Sequence, residues 1–191
     1  MAAPEEILSQ VESALHQHFE VRPARASVSF VGVEPIEILR YSDGVLDHYV
    51  SLGMARYPMV DPSLTVVDHS VGPRAELLLS ARGRPDELWR RLAILAAAPA
   101  VEGAVYDVGT RIDLGEPLLP GTRCHGVILA ASDVAPVVVA TISDVEVLRA
   151  VPVTAAELAW ARIHGSTELL ERLEEQALDT FDLSRDSAVL D

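Results

Sequence analysis

The chain has 191 residues, of which 49% are hydrophobic, and this is enough to bury the core of one domain without disulfides or metals. Its 29 acidic and 15 basic residues leave a net charge of −14, which disfavours nucleic acid and anionic membranes as partners and favours basic proteins. Solubility alone is the commoner cause of such a negative balance. All 15 basic residues are arginine, which excludes a lysine Schiff base and a P-loop lysine.

The cellular compartment is predicted from the same inventory. Cys124 is the only cysteine, so no intrachain disulfide can form, as is usual in a reducing compartment. The first residues include Glu5 and Glu6 and no basic residue before Arg22, unlike a signal peptide. The longest apolar runs are too short to span a bilayer. We therefore expect a cytoplasmic protein that does not bind membranes.

The first half of the chain is predicted to contain two helices with strands between them. Apolar side chains recur at helical spacing over residues 4–20. A second helix is predicted over 85–98, with Pro85 in its first turn and Pro99 as its stop. Between these helices lie short strand-like segments bounded by Gly, Pro and Asp, at 27–31, 36–41, 48–52, 64–67 and 75–80.

The middle of the chain is predicted to be irregular and then rich in strands. Residues 102–125 contain four glycines and two prolines, which indicates a long connection with a short strand near 110–114. Three segments rich in Val and Ile follow at 126–131, 137–142 and 145–151. Their nearly continuous apolar character is typical of central strands.

Two helices are predicted near the C-terminus. Thr154 and Glu157 have the spacing of a capping box, which begins a helix that runs to about residue 164 and ends at Gly165. Ser166 is predicted to cap a second helix, which runs to about residue 178. The acidic tail that follows is expected to be partly ordered through Phe181 and Leu183.

This order of elements predicts an α+β fold, a mixed and mainly antiparallel β-sheet flanked by helices. No repeat or linker divides the sequence, so residues 1–191 are expected to form a single domain. Its core is expected over about residues 27–178, with an acidic C-terminal tail at 179–191.

The sequence contains no recognisable catalytic, cofactor-binding or metal-binding motif. His16 and His18 are two positions apart on a predicted helix and cannot ligate one metal there. Asp68-His69-Ser70 holds the residue types of a hydrolase triad, but neighbours on one strand point to opposite faces. Cys124 is expected to be a buried structural residue despite its neighbour His125. No cofactor is predicted.

Several segments, in order, resemble the suppressor of fused domain family. They lie at 49–54, 74–79, 125–129, 151–158 and 182–185, so the resemblance covers roughly residues 30–188. Ser51 stands where the family usually has Thr, and Ala55 where it has Ser. The residues that carry the resemblance are Ser51, Gly53, Met54, Glu76, Leu77, Pro152, Thr154, Glu157, Gly165 and Arg185. Their roles are expected to be mostly structural, such as a turn at Gly53 and a helix cap at Glu157.

The resemblance implies a non-catalytic protein-binding module. Animal members sequester transcription factors of the Hedgehog pathway between two domains, whereas bacterial relatives are often single-domain and many look like immunity proteins. The ligand-binding residues of the two-domain members therefore cannot be carried over to this chain.

Three hypotheses follow from the sequence. The first is a bacterial immunity or sequestering protein whose acidic surface binds a basic toxin or regulator, with the sheet edges or residues 102–125 as contact surfaces. The second is an enzyme whose site is assembled from distant residues such as Cys124, His125 and His69. The third is a structural subunit that forms a homo-oligomer; the oligomeric state is unknown and a homodimer is possible.

Overall fold

The computed structural model describes residues 3–60, 72–83, 85–140 and 142–190. Within them lie four α-helices, seven strands and one 3₁₀ turn over Met54–Arg56. The helices are α1 (Pro4–Phe19), α2 (Leu88–Glu102), α3 (Ala155–His164) and α4 (Ser166–Glu175). The strands are β1 (Ala24–Phe30), β2 (Val33–Ser42), β3 (Asp47–Leu52), β4 (Arg74–Ala81), β5 (Arg111–Asp113), β6 (Cys124–Ala131) and β7 (Val145–Thr154).

The seven strands form one sheet in the order β1-β2-β3-β4-β7-β6-β5. β4 and β7 pair in parallel at the centre, and every other neighbouring pair is antiparallel. The sequence-based prediction of a mixed, mainly antiparallel sheet flanked by helices is therefore confirmed.

Each face of the sheet is covered by helices. α2 packs on one face, the front, against side chains that include Leu77 and Leu129. On the opposite face, the back, α1 covers one half of the sheet and α3 with α4 covers the other half. Side chains along β7 alternate between the two faces. Leu148 belongs to the core on the front, whereas Val147 and Val151 belong to the two cores on the back.

Helix α2 neither begins nor ends where the sequence predicted. It begins at Leu88 rather than at Pro85, and it continues past Pro99 to Glu102. Proline has no N–H, so the carbonyl of Leu95 loses its partner within the helix. The buried hydroxyl of Tyr106 donates to that carbonyl at 2.9 Å and replaces the missing bond.

Replacing Tyr106 with Phe is expected to destabilise the protein by about 1–2 kcal/mol, because the Leu95 carbonyl would be buried without a donor. The measurement is the free energy of unfolding in urea. Tyr57→Phe is the matched control, since the Tyr57 hydroxyl is exposed and donates to Glu34 at 3.0 Å. It should cost less than about 0.5 kcal/mol. Equal losses in the two variants would contradict the role assigned to Tyr106.

The strand predicted over 137–142 is wrong for the residues described there. Val137 forms one antiparallel bridge with Val145, and the chain then leaves the sheet. β6 already pairs with residues 148–154 of β7, which leaves only the start of that strand open to Val137. Val134, Val137 and Val139 instead pack into the core beneath α1. The strand predicted over 64–67 lies outside the described residues, as do Asp68, His69 and Ser70.

The C-terminal segment differs in two details from its prediction. Gly165, not Ser166, is the capping residue of α4, and the Ser166 hydroxyl donates to the Gly109 carbonyl at 2.7 Å. The helix ends at Glu175, and Ala177 follows in a left-handed conformation. Beyond it Leu183 is buried, and the Phe181 carbonyl accepts a hydrogen bond from the backbone N–H of Arg82. Both residues therefore hold the tail against the rest of the protein, as the sequence predicted. None of the helices described is both long and apolar enough to cross a membrane.

Candidate functional site

The motif residues near β3 and β4 meet around the carboxylate of Glu76, which is fully buried. Its Oε1 accepts hydrogen bonds from the backbone N–H groups of Gly53 at 2.8 Å and Ala55 at 3.0 Å. Its Oε2 accepts from the Ser51 hydroxyl at 2.5 Å and from the Met54 N–H at 3.3 Å. We call this arrangement the Glu76 cluster. It fixes the turn after β3 to the neighbouring strand β4.

Gly53 makes the Glu76 cluster possible through its backbone conformation. Its φ is 141°, a value that side chains other than that of glycine rarely adopt. A Cβ there would also lie 3.1–3.3 Å from Arg56, Ile36 and the Pro35 carbonyl. The turn predicted at Gly53 is therefore present, and it aims three successive amides at one carboxylate.

Burial raises the pKa of Glu76 above its ordinary value, because the charged form loses its water. The Ser51 hydroxyl and the three amides act in the opposite direction and offset part of this effect. Ser51 has a second role, since its oxygen also accepts the N–H of Leu77 at 2.9 Å. Arg74 completes the turn by donating to the carbonyls of Ala55 and Arg56.

A second group of motif residues meets around Glu157, which is also buried. Arg185 binds both of its carboxylate oxygens, at 2.6 and 2.8 Å, and also donates to the Pro152 carbonyl. The predicted capping box is present, with reciprocal bonds between Thr154 and Glu157. The Ala188 N–H donates to Glu157 at 2.8 Å. This Glu157 cluster therefore joins β7, α3 and the C-terminal segment.

The electrostatics of the Glu157 cluster differ from those of the Glu76 cluster. Burial alone would raise the pKa of Glu157, but Arg185 and the amides of Ala188 and Thr154 outweigh it, so this pKa lies below its ordinary value. The pKa of Arg185 is raised in return by its partner Glu157, against the effect of its burial. The two side chains are therefore a charged pair in the folded protein at neutral pH.

The structure thus separates the ten motif residues into two buried clusters and one isolated position. Ser51, Gly53, Met54, Glu76 and Leu77 form the first cluster and its surroundings, and Pro152, Thr154, Glu157 and Arg185 form the second. Gly165 belongs to neither, since it lies at the junction between α3 and α4. Sequence reasoning missed Arg74 and Ala188, because their contributions depend on backbone carbonyls and an amide that no motif records.

Of the residues named in the enzyme hypothesis, Cys124 and His125 lie in β6, whereas His69 lies outside the described residues. Cys124 is buried, as predicted, and burial raises the pKa of its thiol to about 11. A thiol with such a pKa is almost entirely protonated at neutral pH and is a poor nucleophile. Among the described residues, no three His, Cys, Asp or Glu side chains are grouped so that they could hold a metal ion.

A Ser–His–Asp arrangement that the sequence did not reveal lies on the back of β3 and β4. His48 Nδ1 is 2.8 Å from the Ser80 hydroxyl, and its Nε2 is 3.5 Å from Asp43. However, Ser80 is buried, and Asp43 already accepts the N–H groups of Val45 and Leu46, which lower its pKa. These contacts stabilise the turn between β2 and β3 against the sheet, and they do not expose the Ser80 hydroxyl as a nucleophile.

Among the described residues, an open cavity and an acidic helix face are accessible to a partner. A cavity of about 230 Å³ lies beside the Glu76 cluster, between the 3₁₀ turn and the C-terminal half of α2, and its walls include Met54, Tyr57 and Pro99. The second surface is the outer side of α4. Its carboxylates Glu168, Glu171, Glu174 and Glu175 are all exposed, and none forms an ion pair with a described residue.

The fold and both clusters describe an α+β module whose buried polar groups hold turns and segments together. The family model for the suppressor of fused protein (SUFU) matches residues 32–186, which is most of the chain. The chain belongs to the suppressor of fused family, as its motifs predicted. No curated protein sequence matches it.

Three solved structures share this fold at low sequence identity. A SUFU homologue from Neisseria gonorrhoeae FA 1090 aligns with a TM-score of 0.72 and 15% identity over 98% of this chain and 99% of that one. A chain of the Sufu–Fu complex aligns with a TM-score of 0.72 and 14% identity, over 94% and 91%. Drosophila Suppressor of Fused gives 0.68 and 14%, over 95% of this chain and 50% of the Drosophila chain.

Proposed function

We propose that this protein is a cytoplasmic, non-catalytic binding module that sequesters or neutralises a basic protein, as a bacterial immunity protein does. The observation that carries the proposal is its membership of the suppressor of fused family, together with the likeness to a chain described in a complex, that of Sufu with Fu. The net charge of −14 favours a basic protein as partner and disfavours nucleic acid.

The outer side of α4 is the proposed docking region for the basic surface of that partner. Its four unpaired carboxylates lie within ten residues, with Arg172 as the one basic residue of the helix. Arg172 is turned aside, because it lies over the Trp160 ring and donates to the Val189 carbonyl. The four carboxylates are exposed and form no ion pair with a described residue, so they would accelerate encounter with a basic surface.

The experiment captures partners of the tagged protein from its source cells at low and moderate salt and identifies them by mass spectrometry. A variant with glutamine at positions 168, 171, 174 and 175 should associate with the captured partner at least about fivefold more slowly at low salt. The matched control has glutamine at positions 5, 6, 20 and 146, which are exposed glutamates elsewhere. It removes the same charge and should change the rate much less. Capture of no specific protein at either salt concentration would refute the proposed function.

A further inference from the structure

A groove opens on the back of the sheet beside α4 and the segment that follows it. Val147 of β7 packs beneath α1, and Val151 packs beneath α3 and α4. Because alternate residues of a strand share one face, Arg149 points toward the same side as these two valines, at the division between the layers. We call the depression beside it the Arg149 groove.

The side chain of Arg149 forms no hydrogen bond or ion pair with any described residue. It is half-buried, and its Nε is inaccessible to solvent and unbonded, so only the two terminal nitrogens remain for a partner. Arg22 and Arg90 also lack partners among the described residues, but both are exposed and solvated. Partial burial of an unpaired guanidinium costs free energy, which an anion bound to the two terminal nitrogens would offset.

The walls of the Arg149 groove are mostly apolar. The groove has a volume of about 480 Å³ and is lined by Ala130 and Val151 of the sheet, Leu170 and Leu173 of α4, and Leu178 and Phe181 after α4. This volume accommodates a few side chains of a peptide rather than a whole helix. An occupant must therefore bring an apolar side chain together with its negative charge.

Two acidic side chains restrict the occupant further. Glu171 and Glu174 of α4 also line the groove, and neither forms an ion pair with a described residue. They repel a second carboxylate and attract basic or neutral groups. The groove thus combines one cation, an apolar wall and an acidic rim.

We propose that the Arg149 groove binds the C-terminal end of the partner protein. The last residue is apolar and lies against Leu170, Leu173 and Phe181, while its carboxylate pairs with the two terminal nitrogens of Arg149. Basic residues that precede it face Glu171 and Glu174. A C-terminal residue fits better than an internal Asp or Glu, because its carboxylate stands directly beside an apolar side chain and the chain need not leave the groove. This inference rests on the proposed function and assigns a site to it.

The test uses fluorescence anisotropy with the full chain and labelled peptides ending in Arg-Arg-Ala-Leu, Arg-Arg-Ala-Phe or Arg-Arg-Ala-Val. Each is made with a free carboxylate and with a C-terminal amide, and an amidated peptide with an internal Glu is also included. At least one free acid should bind, and its amide should bind at least about tenfold more weakly. Arg149→Met should cause a similar loss and Arg149→Lys a smaller one, whereas Arg90→Met should bind like the unchanged protein. Thermal unfolding of each variant checks that it is folded.

Three results would overturn the inference: equal binding of acid and amide, unchanged binding by Arg149→Met, or no binding of any free acid at about 1 mM peptide. Tighter binding of the internal-Glu peptide would assign the groove to acidic side chains and also overturn it. The outcome is separable from the proposed function. If Arg149→Met still captures the cellular partner at full strength, the groove is wrong while the binding function stands, and if no partner is captured the function itself fails.

Discussion

Glu76→Gln is expected to lower the free energy of unfolding by about 3 kcal/mol, although it changes one oxygen to a nitrogen. The carboxylate accepts from four donors, three of which are the backbone amides of Gly53, Met54 and Ala55. Either orientation of a glutamine amide places its NH₂ group against at least one backbone N–H. That amide would be buried without an acceptor, and the turn after β3 would come away from β4.

The measurement is urea unfolding, with Glu146→Gln as the control, since Glu146 is exposed on the neighbouring strand β7. The control should change stability by less than about 0.5 kcal/mol. Because burial raises the pKa of Glu76, its folded state holds the proton more tightly than its unfolded state. The stabilisation that follows from this raised pKa is therefore fully present below the pKa of the unfolded state. It is lost as the pH rises through the pKa of the folded state. The free energy of unfolding is compared between the unchanged protein and Glu76→Gln as a function of pH. If the difference grew with pH, the four donors would outweigh burial in their effect on the pKa of Glu76.

Arg185→Met is expected to destabilise the protein by about 3–5 kcal/mol, because it leaves the buried carboxylate of Glu157 without its charged partner. The loss should free the segment around Leu183 and Ala188, which hydrogen exchange would detect as faster amide exchange there. Replacing both Glu157 and Arg185 with Met should cost much less than the sum of the two single changes, since no unpaired charge remains.

Arg123→Met is the matched control, because Arg123 also binds the C-terminal segment, through Asp186, but the pair is exposed. It should cost less than about 1 kcal/mol. The pH dependence runs opposite to that of Glu76. The pKa of Glu157 is lowered in the folded state, so its stabilisation is present above the unfolded pKa and is lost as the pH falls through the folded one. Arg185→Met should weaken this acid-induced loss of stability; an unchanged acid response would contradict the charged pair.

Most of the fold was predictable because local patterns and tertiary packing agree. The amphipathic spacing of residues 4–20 gives α1, and the capping box at Thr154 and Glu157 begins α3. The strands with strong Val, Ile and Leu content were found with errors of a few residues at their ends. The wrong assignments occur where tertiary contacts decide. Pro99 stays within a helix because Tyr106 supplies the missing donor, and Val137 forms only one bridge because β6 already pairs with residues 148–154 of β7.

The motif residues were predictable as a set, but their partnerships were not. Ser51 and Glu76, or Glu157 and Arg185, are far apart in sequence, and only the strand order and the path of the C-terminal segment bring them together. Arg149 gave no signal at all, since one arginine in an apolar strand looks like an interruption. The role proposed for Arg149 depends on the neighbouring residues of β6, of α4 and of the segment after α4, and the sequence of β7 does not contain that information.

The parallel pairing of β4 with β7 also governs how the chain reaches its folded state. Arg74 pairs with Val145, so the centre of the sheet closes only after α2, β5 and β6 have been made between them. Joining such distant segments is entropically costly and slow compared with the hairpins of β1, β2 and β3. Arg185 is later still, so the carboxylate of Glu157 obtains its charged partner only after a further 28 residues have been synthesised. A chain that stops before Arg185 therefore lacks the charge that stabilises the buried carboxylate of Glu157.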